Sequence, residues 1–94
     1  MDAKDFLDGV KAYGRIEFDD DDELLLELLA AAMETLKRAG VPKDVDSPLY
    51  RLAVKRLTLH YYENPEEVTT HAAQVPMGMS WMIEQLRNDD EAEE

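Results

Sequence analysis

The sequence predicts a mainly α protein: a small bundle of about four helices, with a long loop or arm between the third and the fourth. Three observations predict it. Apolar residues recur at helical spacing in four separate stretches. Gly14, Gly40, Pro42, Pro48 and Pro65 punctuate the boundaries of those stretches, where helices stop or start. The chain has 94 residues, enough for one domain. Residues 1–88 are expected to form that single helical domain, and residues 89–94 an acidic disordered tail.

The first helix is expected near Lys4 to Tyr13, with Phe6, Leu7, Val10 and Tyr13 at helical spacing and Gly14 ending it. Arg15 to Phe18 reads as a short extended connector. The second helix is expected from about Asp21 to Ala39. Asp19 to Asp22 supply N-cap candidates and negative charge at the positive end of the helix dipole, and Gly40 supplies the stop. Its polar stripe is narrow (Glu23, Glu27, Glu34, Arg38), and nearly everything else from Leu24 to Met33 is apolar. A surface helix buries about one face. This one needs cover on two or more sides, so it is either the central helix or part of a subunit interface.

Pro48 suits the first turn of a third helix, which runs to about Glu63 before Asn64-Pro65 breaks it. Tyr50, Ala53, Val54, Leu57 and Tyr61 form its apolar stripe. Arg51, Lys55, Thr58 and Tyr62 form a more polar one beside it. Glu66 to Pro76 has no helical period, and a loop this long in so small a domain is often functional. The fourth helix is expected from about Gly78 to Arg87. Met79, Met82, Ile83 and Leu86 share its core face, while Trp81 falls on the opposite side beside Met77.

The net charge of −12 is concentrated at the ends. Residues 1–23 carry nine acids and three bases, residues 88–94 carry five acids and no base, and the stretch between them is nearly neutral. Wrapping nucleic acid requires a basic surface, which is missing. An acidic surface keeps a protein soluble, mimics DNA, or lines a path along which DNA slides without sticking. There is no cysteine, and so no disulfide or thiol chemistry. The N-terminus is too acidic for a signal peptide, and no run is long enough to span a membrane. The protein reads as soluble, and cytoplasmic when made.

No constellation of residues converges on catalysis. Asp19 to Glu23 suggests calcium, but the sixth position of such a loop needs glycine and holds Leu24, so capping and solvation explain the run. Arg56, His60 and Glu63 share a helical face without a second cluster to complete a metal site. Ser47 and Ser80 lack a nucleophile motif. No cofactor, metal or enzymatic activity is expected. Arg51, Lys55 and Arg56 form one compact basic group, read as a solvated face or as a partner for the acidic ends of a neighbouring copy. Trp81 reads as an interface anchor, a role in which tryptophan is over-represented, unless the small fold buries it.

Three stretches, taken in order, resemble a known family. They are Val10 to Ile16 followed by the acidic Asp19 to Asp22 leading into Glu23-Leu24-Leu25, the helix Leu52 to Tyr62 closing on His60-Tyr61-Tyr62-Glu63-Asn64, and Val75-Pro76-Met77-Gly78 before a last helix ending in Leu86-Arg87. Over roughly residues 5 to 88 the order and spacing resemble the head-tail connector family of tailed phages. Gly14 departs from that pattern where the family more often has Leu, which is expected to shorten or loosen the first helix. Pro65 departs where a charged residue is more usual. The resemblance implies a virion protein at the head-tail junction, made in the bacterial host cytoplasm. It implies a homo-oligomeric ring beneath the portal protein, a tail-side completion protein docked on that ring, and DNA passing through without sequence-specific binding. It implies no catalytic residue. A ring needs a heterologous interface. The candidate interface residues are Leu25 and Leu29 on the apolar side of the second helix, and Met77 and Trp81 on the fourth. The competing reading is an acidic helical regulatory module, antitoxin-like or a DNA mimic.

Overall fold

Four α-helices carry the fold in the computed structural model, which describes residues 3–64, 66 and 77–92. They are α1 (Ala3–Gly14), α2 (Asp22–Arg38), α3 (Pro48–Glu63) and α4 (Ser80–Ala92), with a 3-10 turn at Met77–Met79 leading into α4. The predicted mainly α architecture is observed, and no strand occurs among the described residues. The expected arm from Glu66 to Pro76 lies outside the described residues, apart from Glu66.

The ends of the helices follow from local chemistry. Ser47 caps α3: the Tyr50 amide donates to Ser47 Oγ at 3.2 Å, and Pro48 occupies the first turn. At the end of α2, the Val41 amide donates to Leu36 O and the Gly40 amide to Lys37 O. That pair of bonds is a Schellman motif, completed by the burial of Leu36 and Val41 and by Gly40 at φ +89°. The end of α1 repeats the pattern. The Ile16 amide donates to Lys11 O and the Arg15 amide to Ala12 O. Here the left-handed position, φ +57°, belongs to Arg15 and not to the adjacent glycine. The expectation that Gly14 would shorten α1 is not met, because the helix runs through Gly14. What Gly14 permits is close packing: a Cβ there would lie 2.7 Å from Leu59 Cδ2.

The N-cap expectation for α2 is met in position only. Asp21 is the N-cap residue, but its carboxylate makes no capping bond. Its backbone, at φ −105° and ψ 15°, is not the extended conformation that aims a side chain at the first free amides.

The central element is α3, which packs principally on α2, then on α1 and α4. Its expected stripe of Tyr50, Ala53, Val54, Leu57 and Tyr61 is fully buried. Thr58, expected on the more polar side, is buried as well; its hydroxyl is satisfied by donating to Val54 O at 2.7 Å. Tyr61 is 0 % exposed, and its hydroxyl meets Thr35 Oγ1 on α2 at 2.9 Å. Phe6, Leu7 and Val10 of α1 and Met79, Met82, Ile83 and Leu86 complete the core. Each such side chain contributes roughly 1.5–3 kcal/mol of transfer free energy when fully buried. Tyr13, expected with the apolar stripe of α1, lies half exposed beyond it. The α4 backbone stays helical to Ala92, past the expected end at Arg87, because no glycine or proline follows to stop it.

Candidate assembly surface

The connector between α1 and α2 is locked by polar contacts. Lys11 Nζ on α1 lies 2.5 Å from Asp19 Oδ1 and 2.8 Å from Asp22 Oδ1. Hydrogen bonding to Asp19 and then Asp22 raises the Lys11 ammonium above its ordinary pKa, and the bond from Lys11 holds the Asp19 carboxyl below its own. The Tyr62 hydroxyl, from the last turn of α3, donates to Asp21 Oδ2. That bond, followed by burial, pushes the Tyr62 phenol up. Three of the five acids from Asp19 to Glu23 are therefore tied to other parts of the chain. The described residues include no group of three or more His, Asp or Glu placed to hold a metal ion.

The three bases expected to form one group are drawn to different elements. Arg51 Nη1 donates to Val45 O in the α2–α3 loop at 2.8 Å. The Lys55 stem runs over Gly9 of α1, with Cε 2.9 Å from the point where a Cβ would sit. Arg56 reaches toward Gly78, 3.8 Å from the corresponding point there. The group is not a single patch, because each long side chain covers a different junction of the bundle.

A cleft of about 360 Å³ opens between the end of α1 and the second half of α3. Tyr13, Ile16, Arg56, His60, Tyr62 and Glu63 are among its lining residues. A second groove, of about 430 Å³, lies at the other end of α2. Met33, Val41 and Tyr50 form its floor, and the exposed Ala30, Lys37 and Lys43 stand at its edge. Burial raises the pKa of the Tyr50 phenol.

The four interface candidates divide. Leu25 and Leu29 are 0 % and 3 % exposed, packed inside their own chain. That corrects the expectation: a side chain with no free surface cannot cover a neighbour, and the stripe of α2 they occupy is the one turned toward the core. The side chain of Met77 lies outside the described residues. Trp81 is 57 % exposed, on the far side of α4 from its core residues. Large apolar residues that sequence spacing did not single out for an interface are also exposed: Phe18, Leu24 and Leu52. Leu24 was hidden among the run of leucines that opens α2. Phe18 sits in a connector without periodicity.

Residues 4–88 match the phage gp6-like head-tail connector protein family. The chain belongs to that family. The match runs from α1 into α4, so the whole core of the connector lies inside it. A phage head-tail connector is a virion component that assembles with portal and tail components. No curated protein and no solved structure matches this connector. No described helix is long and apolar enough to cross a membrane.

Proposed function

We propose that the connector acts without catalysis, as a protomer of a ring that sits on the portal, extends the DNA channel and carries a tail-side protein. Membership of the connector family over residues 4–88 is the observation that carries this reading. The exposed apolar residues support it. The core face of α4 is fully used inside the chain, yet Trp81 remains outside, at an energetic cost that a partner would offset. The charge also supports it. With a net charge of −12 the connector repels a phosphate backbone, which suits a channel that passes DNA and does not hold it. The engagement of Asp19, Asp21 and Asp22 inside the chain counts against a DNA mimic, which needs its acids displayed.

The test is assembly. Purified connector is mixed with rings of its cognate portal and followed by light scattering and negative-stain imaging. The expected product is a portal extended by a second ring with an open central hole. Particles indistinguishable from portal alone, with folded connector left monomeric, would overturn the reading.

A further inference from the structure

The groove beside the α2–α3 loop combines an apolar floor with positive charge at its rim. Met33, Val41 and Tyr50 form the floor, and Lys37 and Lys43 are both exposed at the edge. Among the described residues neither lysine has an acidic partner. The acid in the same groove, Glu34, is held 3.4 Å from Arg38 Nε. The opposite pattern stands on α4. Trp81, Glu84 and Gln85 lie at i, i+3 and i+4, so they share one face, and all three are exposed. That face offers a large aromatic anchor with an acid one turn along. Trp81 is not among the residues lining the groove of its own chain.

We infer that this groove receives Trp81 from a second copy of the chain, with Lys37 and Lys43 facing Glu84 of the incoming α4. The inference rests on the ring reading above and names the contact that would build the ring. Two arguments select a second copy as the occupant. The first is charge complementarity: a basic-rimmed groove on a chain of net charge −12 is a local exception, and another copy presents the acid and the aromatic it lacks. The second is geometry: groove and anchor are different patches on one chain, so each copy offers one of each. Such a heterologous contact propagates, and it closes into a ring when the rotation per copy allows.

The test uses the full chain, which has no cysteine of its own. P42C, at the groove, and Q85C, beside Trp81, are mixed under mild oxidation. The expected result is a P42C–Q85C cross-link in the mixture that disappears when W81A is added to the Q85C chain. In parallel, self-association is measured by light scattering. W81A should weaken it by roughly 30-fold, the effect of truncating a central aromatic anchor. K37E/K43E should also weaken it, and adding E84K to that variant should restore part of the loss, which a purely structural defect would not allow. If W81A and K37E/K43E associate like the wild type, the groove assignment is overturned while a ring built on another face stands. If the wild type neither associates nor cross-links at any concentration, the assignment is also overturned, and the connector reading is then decided separately by portal binding.

Discussion

The contact between Thr35 and Tyr61 joins α2 to α3 at the centre of the fold, and it makes an asymmetric prediction. The Tyr61 side chain is fully buried, and its hydroxyl meets Thr35 Oγ1 at 2.9 Å. Tyr61→Phe leaves the Thr35 hydroxyl without this partner. That hydroxyl sits within a helix and can turn to a carbonyl one turn back, so the expected cost is only about 1 kcal/mol. Thr35→Val strands the phenol of Tyr61 in the core with no such escape, and the expected cost rises to about 2 kcal/mol. The double variant removes both polar groups and keeps the shape, so it should fall within about 1 kcal/mol of the wild type. The coupling energy is then about 2 kcal/mol. For a domain of this size each kcal/mol moves the melting temperature by roughly 4–8 °C. Urea unfolding followed by far-ultraviolet circular dichroism measures all four proteins. Additive losses in the double variant would mean that the two hydroxyls do not satisfy each other.

The two Schellman ends of α1 and α2 predict changes of opposite sign. Gly40→Ala places a Cβ at φ +89° and should cost about 1–2 kcal/mol, whereas Arg15→Gly relieves a non-glycine at φ +57° and should be neutral to stabilising by about 0.5 kcal/mol; an unchanged midpoint for Gly40→Ala, or a clear loss for Arg15→Gly, in urea unfolding would contradict the assignment. Ser47→Ala should lower stability by about 1 kcal/mol through loss of the α3 cap, measured the same way, and an unchanged midpoint would show that the bond to the Tyr50 amide contributes nothing. The Lys11–Asp19 pair should stabilise the fold while Asp19 is ionised. Because the folded pKa of Asp19 is depressed, that contribution is present above its unfolded value near 3.8 and fades as the pH falls through the lower folded value. Lys11→Met should return the Asp19 carboxyl toward 3.8 in a carbon-detected titration, and high salt should narrow the difference between the two proteins because the Asp19 end of the pair is exposed. Identical Asp19 titrations in the two proteins would remove the pair from the account. Trp81→Ala should leave helicity and unfolding free energy nearly unchanged, and unfolding of this variant would place Trp81 in the core.

Much of the fold was legible because local chemistry and burial agree. The limits of α3 follow from Ser47-Pro48 at one end and Asn64-Pro65 at the other, and its buried stripe has the helical period. Trp81 could be placed outward because Met79, Met82, Ile83 and Leu86 already fill the inner face of α4. The second helix defeats the same method. When most of a helix circumference is apolar, spacing cannot say which stripe its own chain will cover, and Leu25 and Leu29, candidates for a neighbour by spacing, lie in the core. The end of α1 moved by one residue for a tertiary reason. Ile16 packs against the core, and the Schellman geometry then puts Arg15, not Gly14, in the left-handed position. Sequence alone shows only capping and solvation at Asp19 to Asp22, because the partners of this polar lock, Lys11 and Tyr62, lie on other helices. The basic-rimmed groove could not be foreseen at all. Its walls come from α2, the following loop and the start of α3, and only the turn at Gly40 brings them together.

Binding to the isolated cognate portal ring decides whether this connector assembles on a portal. Sedimentation of portal rings with increasing connector should show saturable binding at a fixed number of copies per ring, with a closed second ring visible in class averages. Folded connector that stays in the supernatant at every concentration, or that binds without saturating and leaves no ring, would show that it is not a portal-bound ring protein.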